Sequence, residues 1–218
     1  MKRTGKKRKL KSYILIVCEG KTEEIYFKSI KEDIEYSDYA LDIIVKETDK
    51  TTAVELVEIA QSEITKDDKD GQYWAVFDKN GYEKHEDAFG KAQKRGKKVN
   101  IAFSSISFEH WILLHYEKNK TPFPKSQNII DYLGDRAYYP DYQKAKRIYP
   151  KLKDNVKNAI ENATWLRHNM QNELEQNGGK IYEVNPYTDM DRLVSVLLNY
   201  NQKITWGKIG EFASLEGL

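Results

Sequence analysis

The chain predicts an α/β domain with a mostly parallel sheet flanked by helices. Three observations carry this. The run Tyr13-Ile-Leu-Ile-Val-Cys18 is continuously apolar, rich in β-branched residues and too short for a core helix. It reads as a strand buried on both faces, the mark of a sheet covered by helices on each side. Similar runs recur at 41–45, 72–77 and 99–103, separated by stretches of helical periodicity. At 218 residues, with no internal repeat and no second apolar core, the chain fits one domain.

In order along the chain, Glu19-Gly20 closes the first strand, and Lys21 to Ile34 reads as a helix with Ile25, Phe27, Ile30 and Ile34 on its apolar face. Thr22 is its candidate N-cap. Leu41 to Val45 is the second strand. Thr51-Thr52 offers a cap for a helix striped by Val54, Val57, Ile59, Ala60 and Ile64. Gln72 to Phe77 is the third strand, ending at Asp78-Lys79-Asn80-Gly81. A polar helix over 83–95 and a fourth strand, Val99 to Phe103, follow. Ser107 to Tyr116 reads as an apolar helix. Residues 122–150 hold four of the five prolines and many tyrosines, the composition of a loop-rich insertion. Pro150 to Gln176 reads as one long helix stopped by Gly178-Gly179, Ile181 to Val184 as a short strand, and Thr188 to Tyr200 as a last amphipathic helix. The organisation expected is a basic arm over 1–12 and one domain over 13–218, with a helical insertion at about 120–180.

Composition excludes several classes. Hydrophobic residues make up 39% and charged residues 32%. No apolar run approaches the roughly 20 residues that span a bilayer, and the N-terminus lacks the apolar core of a secretory signal. One cysteine, Cys18, excludes a disulfide scaffold or Cys-rich zinc module and reads as a core residue. A cytoplasmic location is expected. The net charge is +2, yet residues 1–11 carry seven positive charges and no acid, which leaves −5 for the rest. Such an arm can hold a polyanion through its phosphates, or be a solvated terminus. Gly-x-x-x-x-Gly-Lys-Ser/Thr, Gly-x-Ser-x-Gly and His-Glu-x-x-His are all absent from the sequence, so ATP hydrolysis would need a partner.

In open parallel sheets, ligands bind at the carboxyl ends of the strands. Glu19 and Asp78 fall at two such ends. If the strands are neighbours, both carboxylates face one crevice, the donor type that hard cations such as Mg²⁺ take. The plain alternative is that the acids terminate strands and cap helices. Tyrosines and basic residues interleave over 132–149: Tyr132, Tyr138, Tyr139, Tyr142 and Tyr149 with Arg136, Lys144, Lys146 and Arg147. That mixture suits a single-stranded nucleic acid, a protein interface or a packed insertion.

Four motifs resemble those of the RloB-like family. They are Val17-Cys-Glu-Gly-Lys-Thr-Glu-Glu-Ile-Tyr-Phe27, the strand ending Phe77-Asp-Lys-Asn80, Ser107-Phe-Glu-His-Trp-Ile-Leu-Leu-His-Tyr116, and Asn185-Pro-Tyr-Thr188 followed by Leu193-Val194. They occur in the family's order and span roughly 13–198. The resemblance implies a Toprim-like core in which Glu19 and Asp78 hold Mg²⁺ or Mn²⁺. It further implies a nuclease acting on RNA or DNA in prokaryotic antiviral defence, beside an ATPase. Expected partners are therefore nucleic acid and an ATPase, with a homodimer as the expected self-assembly. One departure stands out. The second acid of the family's Asp-x-Asp is Asn80, which supplies an oxygen but no charge. Glu23, one turn beyond Glu19, and Glu109, opening the helix after the fourth strand, are the candidates to compensate. His115, six residues on from Glu109 and so roughly 120° around a helix, is carried as a proton-transfer candidate beside a core hydrogen-bonding role. Lys79 can contact phosphate or be solvated. The rival function is a non-catalytic Toprim-like module that binds a nucleotide or nucleic acid and partners an ATPase; a purely structural subunit is the third.

Overall fold

A computed structural model of the chain describes residues 12–35, 41–47, 52–65, 71–79 and 84–200. The basic arm and Asn80 lie outside the described residues. The elements run β1 (Ser12–Cys18), α1 (Lys21–Glu35), β2 (Leu41–Glu47), α2 (Ala53–Ser62), β3 (Gln72–Asp78), α3 (His85–Ala92), β4 (Asn100–Ser105) and α4 (Phe108–Leu113). Then come α5 (Ser126–Asp135), α6 (Tyr149–Leu152), a 3₁₀ turn (Lys153–Asn155), α7 (Val156–Asn169), α8 (Gln171–Gln176), a second 3₁₀ turn (Ile181–Glu183), β5 (Tyr187–Thr188) and α9 (Met190–Tyr200).

The sheet order is β2-β1-β3-β4-β5. β1 pairs in parallel with β2 and β3, and β3 with β4, while the short β5 runs antiparallel to β4. Ile14 to Cys18 have no exposed surface, as a strand covered on both faces requires. α1 packs on β1 and β2 and touches α9, while α2 packs on β1 and β3 and touches α3. The chain leaves β1 toward β2 on one side and returns to β3 on the other. The strand order therefore switches between β1 and β3, the place where open α/β sheets form a crevice at their carboxyl ends. This is the α/β architecture that the apolar runs predicted, and it is consistent with a Toprim-like fold.

Three expectations need correction. The single helix over 150–176 is broken twice. Pro150 lies in the first turn of α6, a 3₁₀ turn ends at Asn155, and Met170 separates α7 from α8 with φ −98° and ψ 6°. The breaks fall at Asp154-Asn155 and beside His168-Asn169, residues of low helix propensity. The strand expected at 181–184 is a 3₁₀ turn; the pairing falls instead on Tyr187 and Thr188. Thr22 is inside α1 rather than at its cap, because the Glu24 N–H donates to the Gly20 carbonyl at 3.1 Å and the helix starts two residues earlier. Thr52 does cap α2, accepting the Glu55 N–H at 3.3 Å.

The Asn185-Pro186-Tyr187-Thr188 motif fastens the sheet's far edge. The Thr188 and Ser104 hydroxyls lie 2.7 Å apart, and the Asp189 carboxylate accepts the Phe103 N–H at 2.6 Å. Arg167 from α7 donates to the Thr188 carbonyl at 2.9 Å and to the Asp191 carboxylate at 2.7 Å. The insertion's tyrosines are likewise used for packing. Tyr132 and Tyr138 donate to Glu117 at 2.9 and 2.8 Å, Tyr138 stacks on Tyr116, and Tyr149 meets Tyr26 edge to face. Of the readings open for that segment, the packed insertion is the one these contacts favour.

Candidate functional site

The crevice at the switch point is a cleft of about 300 Å³ lined by Glu19, Glu23, Asp78, Glu109 and Lys144, with Gly20, Thr22 and Ala145 among the backbone around it. Each acid arrives by a different route. Glu19 is fixed as β1 ends, its N–H donating to the Val76 carbonyl of β3 at 3.0 Å. Its carboxylate in turn accepts the Asp78 N–H at 3.3 Å, so the two strand ends are tied at the acids themselves. Glu23 comes from the first turn of α1, and its carboxylate lies back over Gly20. A Cβ at Gly20 would sit 3.1 Å from Glu23 Cδ, and closer still to one of its oxygens, so a side chain there would displace the Glu23 carboxylate. Glu109 comes from the first turn of α4 and is 2% exposed.

Electrostatics follow from burial and crowding. Burial, reinforced by Glu109 and Glu19, pushes the Glu23 carboxyl from the ordinary 4.5 up to about 7. Asp78 is raised well above its usual range by burial and then by Glu19, Glu23 and Glu109. Its Oδ1 is buried with no hydrogen-bond partner. Buried oxygens of that kind cost free energy unless something satisfies them. Glu24, one residue from Glu23, differs: Lys21 lies 2.6 Å from it and Lys28 also holds it.

The insertion closes one wall. The Tyr142 hydroxyl donates to Glu109 Oε1 at 2.8 Å, and Lys144 Nζ lies 3.3 Å from the same oxygen. The Ala145 N–H donates to the Thr22 hydroxyl at 2.9 Å, which is the use the structure makes of Thr22. The sequence places Tyr142 and Lys144 in an aromatic and basic stretch; nothing in it shows that this stretch folds back onto Glu109. Nothing in the sequence marks His85 as a neighbour of the site either. It is buried between the Phe77, Phe103 and Tyr182 rings, with Nε2 3.3 Å from the Asp78 carbonyl, behind the cleft.

The structure thus gathers Glu19, Glu23, Asp78 and Glu109 but not His115. The His115 Nδ1 lies 3.0 Å from the Trp111 carbonyl, and its Nε2 lies 3.5 Å from the Tyr26 hydroxyl, to which Trp111 Nε1 donates at 3.0 Å. Burial pushes its pKa down to about 4, the behaviour of a neutral core histidine. The Ser107–Tyr116 motif therefore splits in two. Glu109 faces the cleft, and Trp111 and His115 join α4 to α1 through Tyr26. His110 is also buried, against Phe123, and is lowered to about 4 by burial. Lys79 does not line the cleft.

Among the described residues no three acidic, histidine or cysteine side chains stand at the spacing of a closed metal centre. The donor set nevertheless fits a hard cation. The donors are oxygens, Asp78 Oδ1 has no partner, and Mg²⁺ binds through one or two carboxylates while keeping water. Glu19 and Asp78 would hold such an ion, with Glu109 and Glu23 beside them. Among the described residues no helix is long and apolar enough to cross a membrane.

Residues 14–197 match the family model described as RloB-like protein. No curated protein matches the chain, and no solved structure does.

Proposed function

The chain belongs to the RloB-like family, and from that premise we propose that it is a Mg²⁺- or Mn²⁺-dependent nuclease that hydrolyses phosphodiester bonds of RNA or DNA in antiviral defence. The observation that carries the reading is the crowding of Glu19, Glu23, Asp78 and Glu109 at the switch-point cleft around a buried, unpartnered Asp78 oxygen. Such crowding is unfavourable unless protons or a cation relieve it. A bound divalent ion would activate water and stabilise the leaving oxygen of a phosphodiester. Glu19 and Asp78 would supply the ligand oxygens, tied to each other through the Asp78 N–H. Glu109 is oriented by Tyr142. Glu23, with a pKa of about 7, is able to hold or release a proton near neutrality.

The test is a Mg²⁺ and Mn²⁺ titration of wild type, Asp78→Ala and Glu19→Gln with labelled tRNA and single- and double-stranded DNA, reading ion binding and cleavage together. The expected result is ion binding and cleavage by wild type, with cleavage falling at least about a hundredfold in either variant. Absence of ion binding to wild type overturns the reading. The rival, a non-catalytic module that partners an ATPase, draws on the uncharged Asn80. Nucleic-acid binding that survives Glu19→Gln, with no cleavage at any ion concentration, selects it.

A further inference from the structure

The segment 136–148 forms a strap whose Lys144 and Ala145 line the cleft. Ala137 and Ala145 near its two ends hold left-handed backbone, φ 54° and 56°. Left-handed φ in a non-glycine residue is unfavourable and persists only where the surroundings enforce it. Buried Tyr139, Tyr142 and Ile148 and the Tyr138–Glu117 hydrogen bond anchor the strap away from the cleft. Beside the cleft, Tyr142 and Lys144 meet Glu109, Lys144 Nζ also donates to the Ser126 hydroxyl at 3.3 Å, the Ala145 N–H meets Thr22, and Arg147 pairs with Glu32. Lys144, Ala145 and Arg147 are exposed, and the Lys144 side chain is 49% exposed while its partner Glu109 is 2% exposed. A solvated lysine thus reaches inward to a buried carboxylate. Its positive charge is also felt by Glu23 and Asp78, where it opposes the upward push of their neighbours.

We propose that Lys144 is the cleft's built-in counter-cation: it occupies the position beside Glu109 for which a divalent ion competes, and the strap that carries it loosens when that ion binds. The inference rests on the reading of the cleft as a cation site. It goes further by assigning to the insertion the control of how readily that site fills. A monovalent ammonium on a flexible stem is the natural competitor. It neutralises Glu109 while the cleft holds no other cation, and it can swing back to water without leaving a buried charge, because half of it is already in solvent. Glu109 cannot relocate in the same way. Its helix begins one residue earlier, and its oxygen is already committed to Tyr142.

The test measures Mn²⁺ binding by calorimetry in wild type, Lys144→Gln, Lys144→Arg and Asp78→Ala, together with hydrogen exchange across 136–148 in wild type with and without Mn²⁺. Lys144→Gln is expected to tighten Mn²⁺ binding at least about fivefold, the effect of removing one unit charge at contact distance even under full water screening. Lys144→Arg, which keeps the charge, should stay near wild type. In wild type Mn²⁺ should speed exchange of the Ala145 amide, the one now bonded to Thr22. The wild-type exchange arm requires no variant to fold. Equal or weaker Mn²⁺ binding by Lys144→Gln, or a strap whose exchange Mn²⁺ leaves unchanged or slows, overturns the proposal. If Mn²⁺ binds wild type and Lys144→Gln alike while Asp78→Ala loses it, the cation site stands and only the role of Lys144 falls. If Mn²⁺ binds none of the four, the cation site falls and this inference with it.

Discussion

Two groups of acids lie along one sheet, and they are treated in opposite ways. At the far edge, Asp189 accepts the Phe103 N–H and Asp191 is held by Arg167 through two short contacts. Arg192 adds a further positive charge near Asp189. At the switch point, burial and the neighbouring Glu19 and Glu109 raise the proton affinity of Glu23 and Asp78, opposed by the single contact of Lys144. The first group spends its charge inside the fold, on joining β5, α7 and α9 to β4. The second leaves charge and lone pairs over at the mouth of a cleft. Burial alone does not separate the two, since Asp78 and Asp191 are 7% and 4% exposed. What separates them is whether the protein itself supplies the opposite charge.

The largest effect expected from this comparison is at the satisfied end. Arg167→Ala would leave the buried Asp191 carboxylate without its guanidinium. Removing one member of a buried pair typically costs about 3–5 kcal/mol. Urea denaturation should show that loss, and most of it should be recovered in the double variant Arg167→Ala/Asp191→Asn. A loss under about 1 kcal/mol, the range of an exposed pair, would erase the distinction between the two groups.

Next in size is a pH effect that belongs to the cleft. The folded Glu23 pKa of about 7 lies above the ordinary 4.5. Between these values the folded protein keeps a proton that the unfolded chain has released. The stabilisation is therefore fully present below about pH 4.5 and is lost as pH rises through 7. For Glu23 alone it amounts to roughly 3 kcal/mol. The groups facing it are Glu19, Asp78, Glu109 and Lys144, and Asp78 shifts in the same direction. Asp189, raised to about 6 by burial, loses its share one pH unit earlier. Melting curves of wild type and Glu23→Gln without divalent ions should diverge as pH rises from about 4.5 to 7, with the wild type falling, and stay separated by a constant amount above that. Parallel curves over that range would mean that Glu23 is not crowded.

The elements that define the cleft were legible because their signals are local. Ile14 to Cys18 could bury both faces only in a covered strand, and Glu19 and Asp78 follow the last apolar residue of their strands by one position. Glu109 was legible only through its motif, since periodicity says nothing about an acid at the start of an apolar helix. The wall opposite was not legible. Tyr142 meets Glu109 across 33 residues, and Ala145 meets Thr22 across 123. Contacts at such separation leave no periodic trace in one sequence. β5, at two residues, is too short to show the alternation that marks a strand. His115 shows the converse. It belongs to a specific motif, yet its partners are Trp111 and Tyr26, so a motif residue can be there to hold helices together.

The smallest expected effect comes from making one substitution at both ends, and it separates them most finely. Thr188 is fully buried, and its hydroxyl pairs with Ser104, donates to the Phe103 carbonyl at 3.2 Å and accepts the Met190 N–H at 3.3 Å. Thr188→Val keeps the shape and strands those partners in the core, at a cost of about 1–3 kcal/mol. Thr22→Val removes the acceptor of the Ala145 N–H and a side-chain contact with Tyr142, and Ala145 is exposed, so water can take the hydroxyl's place there. Its cost should be about 1 kcal/mol or less, and it should be local. Hydrogen exchange distinguishes the two. Thr188→Val should speed exchange throughout β4 and α9, because it lowers global stability, whereas Thr22→Val should speed it at Ala145 and its strap alone. A global loss from Thr22→Val would mean that the strap is part of the core rather than a wall of the cleft. The contrast between a spent and an unspent group of acids would then need a different boundary.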